Sequence, residues 1–328
     1  MNGRGLEEHP VSLHDIQAAA AAIAGQVRHT PVLEPLSLQR PWLVPTQTGA
    51  RLVLKLENLQ ITGSFKARGA LARLATLDPA TRAAGLVTAS GGNHGLAVAF
   101  AAQVAGVRAE IFVPTSTPAD KVAKIRAWGA EVRVEGAVWD DANRLALERA
   151  AASGMAYVHP FADPSVIAGQ GTVALEILAQ VPEADVLVVA IGGGGLISGV
   201  AVAAKALKPS IRIVGVEPVG APTLQESVRA GRLVTLERIA TAAGTLAPRR
   251  SSAINLALVA AHVDRIALVS DAEMQAAAAA LWFEAGIAAE LSGAAALAAV
   301  MQGRVPLAPG EVCVPIVCGA GTDGMSAA

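Results

Sequence analysis

Four consecutive glycines constrain this chain more than any other feature. Gly192, Gly193, Gly194 and Gly195 follow Leu187-Val-Val-Ala-Ile191 and precede Leu196-Ile-Ser-Gly-Val200. The β-branched run reads as a buried strand, and the segment after the glycines has helical spacing. Ordering four adjacent glycines costs more conformational entropy than ordering other residues, so such a bend marks a place where bare backbone is required. A strand that enters a glycine bend and leaves as a helix aims free N–H groups and a positive dipole end at one point, which holds a phosphate. The G-x-G-x-x-G register fails, because its sixth position falls on Ile197 or Ser198, although Glu217 at the end of the next strand resembles a ribose-binding acid. No Gly-Lys-Ser/Thr is present, which excludes a nucleoside-triphosphate loop. The uncharged stretch 186–204 is long enough for a bilayer, but the glycines interrupt it, and no membrane span is expected.

Around this bend, short β-branched runs alternate with alanine-rich helical segments, the pattern of an α/β protein with parallel sheets. One series takes strands at 85–90, 109–114, 131–135 and 155–159, with helices over about 93–105, 118–128 and 140–152. A second opens with a helix after Asp163-Pro164 and continues through strand 185–191, a helix to about Leu207 and strand 211–217. It ends at strand 312–318. The run Arg51-Leu-Val-Leu-Lys-Leu56 precedes the first series, so the smaller sheet is expected as an insertion in a larger domain. The expected division is 1–80 with 159–328 as the large domain and 81–158 as the small one, with a cleft between them.

Length and composition narrow the partners. The chain has 328 residues, enough for about two domains. Its 26 basic and 27 acidic residues leave a net charge of −1, and aromatic residues make up 3%. That offers neither a basic surface for phosphate backbones nor platforms for bases, so nucleic acid is excluded and a small-molecule site is expected. Residues 1–10 carry Glu7 and Glu8 and no apolar core of a secretory signal, so a cytoplasmic location is expected. Cys313 and Cys318 are five apart; in a strand they point to opposite faces and make poor disulfide partners.

Two further segments carry chemistry. In Thr62-Gly-Ser-Phe65-Lys66-Ala-Arg-Gly69, a Thr-Gly-Ser turn is expected to cap a helix that begins near Lys66, with apolar residues around the lysine. Lysines are usually solvated surface charges, but desolvation would depress the pKa of Lys66 and make it a nucleophile able to form a Schiff base. A phosphate cradle and such a lysine in one chain imply pyridoxal 5'-phosphate, which has an anion for the glycines and an aldehyde for the amine. In Thr88-Ala-Ser90-Gly91-Gly-Asn93-His94-Gly95, a strand again leads through small residues into a helix. Taken alone this is a capping turn; beside the other two segments, its backbone donors suit a carboxylate and the Asn93 amide suits a phenolic oxygen.

Ser64-Phe-Lys66-Ala-Arg-Gly, Ser90-Gly-Gly-Asn-His94, Gly192-Gly-Gly-Gly195-Leu196 and Gly215-Val-Glu-Pro218 together resemble the fold type II pyridoxal-phosphate family of threonine/serine dehydratases and serine racemases. Tyr157-Val-His-Pro-Phe161 and Cys318-Gly-Ala-Gly321 extend the resemblance over nearly the whole chain. It implies an α/β fold of two open parallel-sheet domains, of the tryptophan synthase β-like architecture. It also implies that Lys66, with Phe65 beside it, is the Schiff-base lysine and that Asn93 contacts the ring hydroxyl. Gly192, Gly193, Gly194, Gly195 and Leu196 would hold the phosphate, and Cys318 would face the ring nitrogen. Ser90, Gly91, Asn93 and His94 would meet the substrate carboxylate. A homodimer acting on a small amino acid is the expected assembly.

Several positions depart from the family pattern. Gly91 stands where the racemases have a serine that serves the second face of the substrate α-carbon; glycine can neither give nor take a proton, while elimination by Lys66 survives. A cysteine opposite the ring nitrogen cannot fix a full positive charge there, which suits prompt loss of a β-substituent. The family's cation position would use Glu217, the Ala221 carbonyl and an acid where Thr223 stands, so no metal is expected. Glu290-Leu-Ser-Gly-Ala294 replaces Glu-Pro-Ser-Gly, Ala162 replaces an acid, and 239–246 lacks the family's aspartate. No residues follow 328 for a C-terminal regulatory domain, so control through one is not expected. The expected activity is a catabolic L-threonine/L-serine dehydratase that releases a 2-oxo acid and ammonia, the β-hydroxyl leaving with a proton from the cofactor phosphate. The alternatives are a racemase or an eliminase for another β-substituted amino acid, a nicotinamide dehydrogenase that uses Glu217, and a catalytically silent ligand sensor.

Overall fold

The structure is a computed structural model that describes residues 11–35 and 49–325. Residues 1–10, read above for export signals, lie outside the described residues. The chain begins with α1 (Leu13–Ile23), β1 (Val32–Leu33), β2 (Arg51–Leu52), β3 (Leu54–Lys55) and α2 (Lys66–Ala75). There follow α3 (Pro79–Ala84), β4 (Leu86–Ala89), α4 (Asn93–Ala105), β5 (Ala109–Val113), α5 (Ala119–Ala127), β6 (Glu131–Val134), α6 (Trp139–Ser153) and β7 (Ala156–Tyr157). The chain continues through α7 (Pro164–Gln180), β8 (Val186–Ala190), α8 (Gly195–Leu207), β9 (Arg212–Pro218), α9 (Thr223–Ala230) and α10 (Ala253–His262). Last come β10 (Arg265–Val269), α11 (Asp271–Ala285), α12 (Leu291–Met301) and β11 (Val312–Pro315).

Two parallel sheets result, as the alternating pattern requires. One has the order β6-β5-β4-β7, the other β10-β9-β8-β11-β2. Strands β4, β5 and β8 are buried along their full length, which explains their mostly apolar sequence, since helices cover both faces of such sheets; the two polar exceptions are bonded, Thr88 to Val158 O and Glu110 to Arg149. Strand order reverses at β8, which pairs with β9 on one side and β11 on the other, and likewise at β4, which lies between β5 and β7. In open parallel sheets the crevice for a ligand opens beyond the carboxyl ends of such strands. The glycine bend follows β8, and the Ser90–Asn93 turn follows β4. Each conspicuous turn therefore sits at a switch point.

Small residues let the helices close on one another. A Cβ on Gly171 of α7 would stand 2.8 Å from the carbonyl of Gly199 on α8, too near for any side chain. Helix starts follow local signals: Asp163 accepts from Ser165 N at 2.8 Å ahead of Pro164, and Ser270 forms a capping box with Glu273. The uncharged stretch 186–204 divides into β8, the bend and part of α8. No helix among the described residues is long and apolar enough to cross a membrane.

Three local expectations change. Arg51–Leu56 is not one strand: Arg51 and Leu52 pair with β11, whereas Leu54 and Lys55 pair antiparallel with β1. Two partners claim the run, so it splits. The terminal strand is regular only to Pro315, which supplies no ladder donor; beyond it Ile316 N bonds Val188 O (3.0 Å) and Val317 N crosses to Lys55 O (2.9 Å). The Thr-Gly-Ser turn does not cap α2: the N-cap is Phe65, with no side-chain cap, and the Ser64 hydroxyl is buried with no partner among the described residues. The turn is instead fastened to the terminal segment, through Phe65 N to Cys318 O (3.4 Å) and Ala320 N to Gly63 O (2.8 Å).

Candidate functional site

Lys66 opens α2, and its amine donates to the carbonyl of Pro160 at 2.6 Å, 5.1 Å from the Phe65 ring centroid. Burial pushes this amine down from 10.5 to about 8, against the opposing pull of Cys318 and Glu290. The His159-Pro160-Phe161 turn behind it is rigid. His159 Nδ1 accepts from Phe161 N (3.2 Å) and Ala162 N (2.9 Å), and the imidazole stacks edge-on with Tyr157 and Phe161. Burial, then the Lys66 charge, lower His159 to about 4, so it is neutral and carries no positive charge beside the lysine.

Phe161 links the lysine to the glycine bend. A Cβ on Gly193 would collide with Cδ1 and Cγ of its ring, and Gly194 has φ +102°, a left-handed conformation that side chains resist. Asn255, fully buried on α10, donates to Phe161 O (2.9 Å) and Gly193 O (3.0 Å), and its own oxygen accepts from Ser198 (2.9 Å). Ser251 adds a second donor to Gly193 O at 2.8 Å. With that carbonyl turned away and held, the N–H groups of residues 192–196 find no acceptor among the described residues. They form a set of donors at the N-terminus of α8, which is what an anion requires.

Opposite the lysine, Asn93 Nδ2 donates to Glu290 Oε1 at 2.8 Å. The same oxygen accepts from Ser292 Oγ (2.5 Å) and Thr245 Oγ1 (3.3 Å). Burial nevertheless raises the Glu290 carboxyl above its ordinary range. Cys318 donates to Ser292 O at 3.4 Å, and burial raises its thiol so far that it keeps its proton. Glu290 thus bonds Asn93, and its charge acts on Lys66 and on Cys318, which places the three sequence-predicted residues around one carboxylate. His94 is 3% exposed, its Nε2 is 2.9 Å from Val158 O, and burial lowers it to about 3. Its side chain is a neutral part of the core. Ser90 Oγ accepts from Gly92 N (3.3 Å) and shapes the turn.

Glu217 has a different use from a ribose-binding or cation-binding acid. Its two oxygens accept from Leu224 N (2.7 Å) and Gln225 N (2.8 Å) at the start of α9, with no surface exposed. Thr223 Oγ1 is spent on Pro248 O at 2.7 Å. This donor set does not fit a divalent cation, and among the described residues no three of His, Cys, Asp and Glu gather as a metal site. Segment 241–246 lies over the glycine bend: a Cβ on Gly192 would approach Thr245 O to 2.6 Å.

Sequence reasoning did not single out Asn255, Ser251, Thr245 and Ser292 as site residues, and it treated Glu290 only as a departure from a motif. A polar residue inside an apolar helical pattern, as Asn255 is in Ala-Ile-Asn-Leu-Ala, was the available signal.

Comparison with known proteins identifies the family. The description of pyridoxal-phosphate dependent enzymes matches residues 23–319. An L-threonine ammonia-lyase of Thermotoga maritima is 40% identical over 292 residues, 89% of this chain and 71% of that one. A serine racemase of Oryza sativa is 39% identical over 307 residues, 92% of this chain and 87% of that one. The structure of maize serine racemase superposes with a TM-score of 0.89 at 36% identity, covering 95% of this chain and 94% of that one.

Proposed function

Because the chain belongs to the family of pyridoxal-phosphate dependent enzymes, we propose that it is an ammonia-lyase that dehydrates β-hydroxy-α-amino acids, L-threonine and L-serine, to a 2-oxo acid and ammonia. The observation that carries the reading is the pairing of a desolvated lysine amine with unsatisfied N–H groups at the head of α8, joined through Pro160 and Phe161. That donor set fits an aldehyde bearing a phosphate. The bend at 192–196 would hold the phosphate, Lys66 the aldehyde carbon, Asn93 the ring hydroxyl and Cys318 the ring nitrogen. Pyridoxal phosphate, when bound, supplies a ring that takes up the negative charge left when a proton leaves the substrate α-carbon.

The residues of this chain then do the following. Lys66, with its amine brought near neutrality by burial, takes the α-proton as general base. The backbone of Ser90, Gly91, Asn93 and His94 orients the substrate carboxylate at the start of α4. Cys318 keeps its proton and adds no full charge, which suits an elimination in which the α-proton and the β-hydroxyl leave as the elements of water. Gly91 presents no group to return a proton on the second face, which favours elimination over racemisation. Two domains, 1–80 with 159–328 and 81–158, are the division the two separate sheets support. A cytoplasmic, catabolic homodimer is the setting the family resemblance suggests.

Lys66→Ala tests the assignment. Borohydride reduction followed by peptide mapping is expected to label Lys66 in the native chain, and the variant is expected to lose at least about 10²-fold in 2-oxo acid release. Retained turnover, or an unlabelled Lys66, sinks the reading.

A further inference from the structure

We propose that Thr117 is a specificity-determining residue, filling the room that a side chain at position 91 would occupy and limiting the size of the substrate's β-substituent. The inference rests on reading Ser90–His94 as the substrate-carboxylate turn. Strands β4 and β5 are parallel neighbours, with Ala89 opposite Phe112, so the turn after β4 and the loop after β5 leave the same edge of the sheet. Thr117 lies in that second loop. The loop is held by Thr117 N to Pro114 O and by Thr115 N to Gly136 O, both at 2.9 Å, so the side chain is carried on fixed backbone.

A Cβ built on Gly91 would meet Thr117 Cγ2 at 2.8 Å, Oγ1 at 3.2 Å and Cβ at 3.6 Å. Its three nearest neighbours all belong to this one residue. Rotation about χ1 can turn one of these two γ atoms away but not both, because only one of the three γ positions of a threonine carries hydrogen. Positions 91 and 117 are therefore complementary: the side chain that one lacks, the other supplies. On the other flank of the turn, a Cβ on Gly92 would lie 3.8 Å from Thr245 Cγ2, so the turn runs between two threonines. Thr117 is only partly buried, and its hydroxyl has no hydrogen-bond partner among the described residues. A methyl and an unengaged hydroxyl beside the turn are a size gauge and a polar contact for whatever the turn holds.

The test is a four-member cycle of holoenzymes: wild type, G91S, T117A and G91S/T117A. Two quantities are read, the ratio of L-threonine to L-serine and the melting temperature. The ratio is measured both in kcat/KM and in binding followed by cofactor absorbance. T117A is expected to shift the ratio toward L-threonine by about tenfold, the scale of one methyl group in a fitted pocket. G91S is expected to lower the melting temperature with Thr117 present, and much less in the T117A background, where the nearest remaining atom is at ordinary contact distance. Additive melting shifts, or a ratio unchanged in T117A, overturn the proposal. If wild type turns over no β-hydroxy amino acid while the binding ratio still shifts in T117A, the ammonia-lyase reading fails and the assignment of Thr117 stands.

Discussion

Lys66 shows how the fold changes the acidity of a single residue in a way that its sequence position only hints at. Burial disfavours its ammonium form, so the folded pKa lies near 8, below the ordinary 10.5. For a depressed group, the stability associated with the neutral form is present above pH 10.5 and is lost as pH falls through about 8. Below that, the cofactor-free protein carries a buried charge. Capture of pyridoxal phosphate needs the neutral amine, so its rate in the cofactor-free protein is expected to rise with pH and level off just above 8. Stopped-flow absorbance checks this, and a plateau reached only near 10.5 would mean that the amine is solvated. His94 and His159, lowered by burial to about 3 and 4, titrate too low to add an inflection near pH 6.5.

At the scale of an element, the bend between β8 and α8 works because its carbonyls are held elsewhere. Asn255 and Ser251 grip Gly193 O, and Phe161 fills the space where a side chain on Gly193 would go. Gly194→Ala combines a left-handed φ with a Cβ 2.7 Å from Leu224 Cδ1 and 3.0 Å from Asn255 Cβ. The expected cost is about 1–3 kcal/mol of stability, with weaker cofactor binding, measured by urea unfolding and by equilibrium dialysis. Gly244→Ala is the control, since a Cβ there meets nothing within 4 Å. Equal effects in the two variants would show that the bend does not depend on its conformation.

Across the whole molecule, a buried ionic network ties the lysine-bearing helix to distant segments. Arg68, two residues after Lys66, bonds Glu57 through Nε at 2.8 Å and Nη2 at 2.7 Å, and Glu176 through Nη1 at 2.6 Å. Lys55 bonds Glu176 (2.7 Å), Gln180 (2.9 Å) and the carbonyl of Thr30 (2.8 Å), and Thr30 donates to Glu57. Two positive and two negative groups balance where water is largely excluded. The network joins α2, β3, α7 and the segment before β1. Arg68→Met leaves Glu57 buried without its ion-pair partner, held among the described residues only by the Thr30 hydroxyl, with an expected loss of about 3–5 kcal/mol in chemical unfolding. A loss under about 1 kcal/mol would show that water reaches these carboxylates.

Much of this was legible in the residues themselves. Strand and helix alternation, the span of α4, the Asp163 cap and the glycine bend all follow from local properties: side-chain periodicity, capping donors and backbone entropy. The positions of Lys66 and Asn93 at helix starts were legible because each follows a short turn rich in small residues. What the sequence could not give by itself were contacts whose partners lie far apart along the chain, such as Glu290 on Asn93 across 197 residues or Asn255 on Gly193 across 62. The division of Arg51–Leu56 between two partners and the use of Glu217 as a cap for α9 belong to the same class. Tertiary structure decided them because a hydrogen bond or a steric contact depends on distance in space, and loop closure brings together groups that no local pattern marks as neighbours.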